Sequence, residues 1–158
     1  WSSPMEDGKL ILKSSNTFEE TPDVWTGKKE ANQEAIVFEG KFSNWVHEYS
    51  PTLKIDLDTI DLKNSKKLFI DIKAMAYAEE KLEGSLVFTI KNNGENVFYE
   101  SRKIHPFIKS YSKWWEVPVN FSITTDNIPP KSELLIYVWN SDQKKLLIDN
   151  LEIEIIGL

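Results

Sequence analysis

The side chains best equipped for chemistry in this 158-residue chain are aromatic: it carries 6 Trp, 5 Tyr and 8 Phe. A flat ring offers an apolar face to the C–H side of a pyranose, while nearby carboxylates, amides and guanidiniums take the hydroxyls. Most of these rings must belong to a core, so strand phase decides which are free. In "SKWWEVPVNFSI" (112 to 123), consecutive side chains of an extended strand point to opposite faces. Trp115 runs in step with Val117, Val119, Phe121 and Ile123 and reads as the core tryptophan. Trp114 runs with Glu116, Pro118, Asn120 and Ser122 and reads as the outward one. Pro118 lacks an amide donor, which calls for an edge strand or a bulge there. Trp25, Trp45, Tyr49 and Tyr111 join Trp114 as candidate platforms because they fall in loops or on outward phases. The aromatic loops "KFSNWVHEYSP" (41 to 51) and "HPFIKSYSKWW" (105 to 115) could share one rim or one concave face. Each ring taken singly also reads as an anchor that packs its loop.

The last segment holds the sharpest polar clue. Leu147, Leu151, Ile153 and Ile155 share one phase, Asn150, Glu152 and Glu154 the other, which leaves Asp149 on the apolar side. A carboxylate there is costly unless it is hydrogen-bonded, paired or bound to a cation. Two outcomes fit: donors from the chain, or an oxygen-lined calcium site completed by a second acid and several carbonyls.

Catalytic arrangements are not marked. The two histidines, His47 and His105, stand alone in loops with no His-Glu-x-x-His pattern. No Gly-x-Ser-x-Gly elbow is present, no carboxylate pair stands out as a glycosidase dyad, and the 6 glycines are not spaced as a phosphate loop. The chain reads as a non-enzyme.

The elements that must position these residues read as strands. Alternation or β-branched runs recur at 9 to 13, 34 to 40, 52 to 58, 66 to 77, 84 to 91, 96 to 104, 115 to 123, 133 to 140 and 145 to 156. Strands of this length joined by turn-rich connectors predict an all-β sandwich or barrel. Asn93-Gly94 predicts a hairpin between the strands at 84 to 91 and 96 to 104. Leu53, Ile55 and Leu57 alternate with Lys54, Asp56 and Asp58, giving one dry and one wet face. Leu86, Phe88 and Ile90 form a second inward set. Residues 1 to 8, with Ser, Pro, Asp and Gly, read as a flexible start.

Composition bounds the rest. A chain of 158 residues, 41% hydrophobic, suits one domain with a real core, so residues 1 to 158 are taken as one unit. A net charge of −6 with interspersed signs and no basic stripe argues against nucleic acid. The absence of cysteine removes disulfides, thiolate zinc sites and thiol nucleophiles. No apolar run approaches the roughly 18 residues of a membrane span. The chain opens at Trp1, which implies an upstream segment.

"NTFEETPDVWTG" (16 to 27), then a run of strands, "WWEVPVNFSI", "LLIYVWN" and a closing "LLIDNLEIEI" together resemble the jelly-roll β-sandwich of carbohydrate-binding modules and galactose-binding-like domains of bacterial polysaccharide-handling proteins. The likeness runs from about Lys9 to Ile156. It implies two antiparallel sheets of about nine strands. It also implies that Glu19 and Asp149 meet across the sandwich to hold a structural calcium. The resemblance further implies a non-catalytic, extracytoplasmic module that binds a polysaccharide through exposed aromatics, beside a neighbouring domain of a larger protein. The alternative is an accessory ectodomain of a membrane or lipid-anchored protein, with a structural or protein-contact role and no sugar site.

Overall fold

The computed structural model describes residues 8–19, 25–26, 32–33, 36–40, 43–60, 62 and 65–158. Alternating β-branched and aromatic residues put nearly all of the long elements into strands. Among the described residues these are β1 (Lys9–Asn16), β2 (Trp25–Thr26), β3 (Asn32–Gln33), β4 (Ser43–Trp45), β5 (Thr52–Asp56), β6 (Lys67–Ala78), β7 (Ser85–Asn92), β8 (Glu95–Lys103), β9 (Lys113–Thr124), β10 (Ser132–Trp139) and β11 (Leu146–Gly157). Among the described residues, short 3₁₀ turns lie between strands at Leu57–Thr59, His105–Phe107 and Thr125–Asn127.

Two antiparallel sheets result. One has the order β3-β4-β11-β6-β9, with β1 pairing the second half of β11; the other has the order β2-β5-β10-β7-β8. From β5 to β11 the chain passes repeatedly between the sheets, and only β7 and β8 are consecutive neighbours in one sheet. This is the predicted all-β jelly-roll sandwich. The β7–β8 hairpin turns at Asn93 (φ 54°) and Gly94 (φ 80°), the pair of left-handed residues that a two-residue turn needs.

The inner faces close on one apolar cluster. Leu53, Ile55, Leu86, Phe88, Ile90, Leu134, Ile136 and Val138 of the five-stranded sheet meet Ile70, Ile72, Val117, Phe121, Ile153 and Ile155 of the other. Phe88 and Phe121 stack across the gap with centroids 5.3 Å apart. At the open side between edge strands β8 and β9, the Arg102 guanidinium lies 4.5 Å over the Phe121 ring, covering the core with its stem while its charge stays wet. Pro118 sits on β9, an edge strand as expected.

Three expectations need correction or fall outside the description. Residues 36–40 form a bent loop rather than a strand, because a bulge in β11 supplies the partner that holds them in a bend. Residues 34–35, and 1–7 of the expected flexible start, lie outside the described residues. The short strand β4 was hidden within an aromatic segment with no alternation long enough to mark it.

Candidate functional site

Phase places the candidate rings on two different surfaces. On the outer face of the six-stranded sheet, register sets Trp45 opposite Leu147, Leu147 opposite Tyr77, and Tyr77 opposite Trp114. Directly opposed residues share a face, so these four form one row across β4, β11, β6 and β9. Trp114 is indeed the outward member of its pair, but it is not open. Tyr77 packs at 5.6 Å and Phe38, from the 36–40 loop, at 6.0 Å. Trp45 carries His47 stacked at 5.1 Å and the Lys145 ammonium at 5.3 Å. Trp115 keeps the core-facing phase, opposite Ala76, yet sits half-buried at the end of the core. Its indole Nε1 donates to the Ser110 carbonyl at 2.9 Å and so ties down the loop before β9.

Asp149 belongs to the outer face as well, which corrects its expected core-facing phase. Asn150 adopts φ 46° and the pairing of β11 with β6 slips between Asp149 and Glu152. An extra residue at this bulge reverses the alternation. Ile148 and Leu151 therefore both face the core, and Asp149 points the other way, opposite Met75. It is nonetheless fully buried, because the 36–40 loop lies over it. Its Oδ2 accepts the Phe38 and Glu39 amides at 3.2 and 3.1 Å, and its Oδ1 accepts the Asn150 amide at 2.8 Å. Burial pushes its pKa above the usual carboxylate value and the Glu19 charge pushes the same way, while the three amides pull it down.

Glu19 and Asp149 thus come within electrostatic reach of each other, as the expected calcium pair requires. Glu19 lines a cavity of about 370 Å³ with Ser15, Thr17, Glu39, Gly40, Asn150 and Glu152. Calcium takes six to eight oxygens, and the carboxylates and hydroxyls here are of the right hard-oxygen kind. Among the described residues, however, no three His, Cys, Asp or Glu side chains are grouped so as to hold a metal ion. Carbonyls and water would have to supply the rest of the shell.

The outer face of the five-stranded sheet carries the other ring cluster. Tyr49 bridges to Trp139 beyond the end of β5, and its ring meets Tyr137 edge to face at 5.8 Å. Register extends this surface: Tyr137 lies opposite Val87 and Val87 opposite Ser101, while Leu135 lies opposite Thr89 and Thr89 opposite Tyr99. Val87 and Thr89 are buried although they face outward, so flanking side chains close over the centre of the sheet. Burial, together with the neighbouring Tyr99 and Tyr49 hydroxyls, raises the pKa of Tyr137. Tyr49 and Tyr99 stay 56% and 45% exposed. The backbones that carry Tyr137 and Tyr99, with β7 between them, stand about 10 Å apart, two strand spacings. Charges gather at one end of the face, where Asp56, Glu133 and Lys91 share a row and Lys54 pairs with Glu133 at 3.1 Å.

Of the five expected aromatics, then, Trp45 and Trp114 share the six-stranded face and Tyr49 lies on the five-stranded one. Tyr111 is exposed in the loop before β9. Trp25 pairs with Leu53 in β2, and its side chain lies outside the described residues. Tyr99, Tyr137 and Trp139 share the outer five-stranded face with Tyr49 and were not among the expected residues. The alternation that divided Trp114 from Trp115 also marks them: Tyr137 and Trp139 alternate with buried Ile136 and Val138, and Tyr99 lies one residue from half-buried Phe98.

No protein-family model matches the chain, and no curated protein matches it. Solved structures do. The CBM22-1 xylan-binding domain of Paenibacillus barcinonensis Xyn10C is similar over 96% of this chain and 97% of its own, with 21% identity and a TM-score of 0.56. The CBM22-1-CBM22-2 tandem of the same protein matches over 99% of this chain, with 20% identity and a TM-score of 0.53; this chain spans 48% of that tandem. The C-terminal family 22 carbohydrate-binding module of Clostridium thermocellum Xyn10B matches over 89% of this chain and 91% of its own, with 12% identity and a TM-score of 0.50. The chain has the jelly-roll β-sandwich fold of these carbohydrate-binding modules.

Proposed function

We propose that this protein is a non-catalytic carbohydrate-binding module that holds a polysaccharide chain against the outer face of its five-stranded sheet. The observation that carries the reading is the tyrosine cluster of Tyr49, Tyr137 and Tyr99, beside Trp139, on the outer face of one paired sheet. Rings on strands are held more firmly than rings on loops, which lowers the ordering cost of stacking a sugar. The exposed Ser101 hydroxyl, opposite Val87 across the β7–β8 pair, adds a polar group beside the rings. Trp45 and Trp114, each already packed by neighbours, anchor loops and strand ends in this reading.

The fold shared with a xylan-binding domain makes xylan the first polymer to try. Placement outside the cytoplasm, and attachment to a neighbouring domain of a larger protein, follow from the same reading. Among the described residues no helix is long and apolar enough to cross a membrane. A structural calcium between Glu19 and Asp149 belongs to the proposal too, since a cation would offset both the burial that chiefly raises the Asp149 pKa and the smaller push from the Glu19 charge. Affinity electrophoresis through gels cast with xylan, glucan, mannan or galactan tests the function. Retardation on at least one polymer, abolished by Tyr137→Ala and kept by Trp114→Ala, is the expected result. Free migration on every polymer leaves the accessory ectodomain reading in its place.

A further inference from the structure

We propose that Asn140 is a positioning residue for the aromatic face, acting through Tyr49 on the segment that carries the chain from one sheet to the other. The inference rests on the glycan-binding reading above and adds a residue that touches no ligand. Asn140 is fully buried just beyond β10. Its Nδ2 donates to the Val46 carbonyl at 2.8 Å and to the Lys144 carbonyl at 2.6 Å, and its backbone N–H donates to the Glu48 carbonyl at 2.6 Å. One side chain thereby joins two loops: residues 46–51, which cross the end of the sandwich from β4 to β5, and the 140–145 turn before β11.

The crossing segment is held at nearly every step. Val46 N–H donates to Leu146 O at 2.9 Å, and Ser50 exchanges three short bonds with Val138 and Pro51. Tyr49 lies between the Asn140 and Ser50 contacts, with its ring on Tyr137. Without the amide, the 46–48 half of the segment keeps only the bonds at its ends, so the Tyr49 ring loses its fixed approach to Tyr137. The same amide sets the turn that brings the Lys145 ammonium over Trp45.

Stability alone is a poor reason for this residue. The Asn140 Oδ1 is buried and finds no hydrogen-bond partner among the described residues, and an unpaired buried acceptor is unfavourable. What the amide contributes is two N–H donors in a fixed fork that fits two loop carbonyls at once.

The test compares Asn140→Ala with Ile136→Val, a core change in the preceding strand β10, at a temperature where far-UV circular dichroism finds each variant folded. Hydrogen exchange at amides 46–50 is read together with retardation on the polysaccharide that retains the parent protein. Asn140→Ala is expected to speed exchange at 46–50 and weaken retention about tenfold, while Ile136→Val leaves both as in the parent. Asn140→Asp, nearly isosteric but with no N–H to give, should act in the same way and substitutes if the alanine variant does not fold. Unchanged exchange at 46–50 in a folded variant overturns the proposal, as does equal loss of retention in Ile136→Val. Failure of both Asn140 variants to fold makes the residue purely structural and also overturns it. A parent protein retained by no polymer refutes the glycan reading instead, and the exchange result still decides whether Asn140 holds the segment.

Discussion

Tyr49 and Tyr137 meet edge to face, centroids 5.8 Å apart, although one lies on a segment crossing between sheets and the other in the middle of β10. Their contact extends a strand surface past the end of β5 and joins the two rings with Tyr99 and Trp139 on one face of four aromatic residues. Tyr137 keeps its direction because β10 is paired on both sides, by β5 and β7.

The adjacent tryptophans should respond differently to truncation. Trp115→Ala removes the Nε1 bond to Ser110 and part of the core's end, so it should lower the stability of the fold by about 2 kcal/mol or more and free the loop bearing Tyr111. Trp114→Ala exposes Tyr77 and Phe38, with a smaller thermal cost and no change in polysaccharide retention. Denaturant melts and gel retardation on the two variants check both halves.

Phe121 joins the sheets through Phe88 and supports the Arg102 guanidinium. Phe121→Ala should cost about 3–5 kcal/mol, the usual range for an aromatic deleted from a packed core. Arg102→Met, which keeps the apolar stem, should cost far less. Urea unfolding monitored by tryptophan fluorescence separates the two.

Asp71 gives the pH dependence. It stands opposite Glu154 on the outer face of the six-stranded sheet, and burial and the Glu154 charge raise its pKa above 3.8, against the opposing pull of Lys73. The folded state therefore holds this proton to higher pH than the unfolded chain does. Its contribution to stability is full below about pH 3.8 and is lost as pH rises through the raised value. Asp71→Asn should flatten the fall in stability above pH 4, measured as the denaturation midpoint against pH in wild type and variant.

The calcium proposal predicts that a chelator lowers the melting temperature and that added calcium restores it. At a hundredfold excess over the dissociation constant the cation stabilises by about 2.7 kcal/mol. Glu19→Gln and Asp149→Asn should each abolish the response to calcium. A melting temperature indifferent to chelator in the parent protein rules the cation out and leaves Asp149 as an acid satisfied by its three amides.

Strand phase made most of the sandwich legible in the sequence. The alternations at Leu53 to Leu57, Leu86 to Ile90 and Val117 to Ile123 became inner faces as read, and Asn93-Gly94 became the hairpin. Alternation failed where its assumption failed. The bulge at Asn150 changes phase inside β11, and nothing in "LLIDNLEIEI" except the Asp-Asn pair signals an extra residue. That single slip moved Asp149 from the inner to the outer face. The site was harder to read for a different reason. Tyr137 and Trp139 sit in β10, a strand of strong core character, and Tyr99 in the edge strand β8, whereas Trp45 and Trp114 lie on the six-stranded face and Tyr111 in the loop before β9. Which rings come together depends on strand order, and pairing partners far apart in the chain are not encoded in local pattern.

The most direct test of the central claim is affinity electrophoresis of the parent protein beside Tyr49→Ala, Tyr99→Ala and Tyr137→Ala on xylan and on gels of other neutral polysaccharides. The account predicts that the parent is retarded on at least one polymer and that each substitution weakens retention about tenfold, a loss of about 1.4 kcal/mol per ring. Retention that survives all three substitutions, or falls only with Trp45→Ala or Trp114→Ala, would contradict it and move the binding face to the six-stranded sheet.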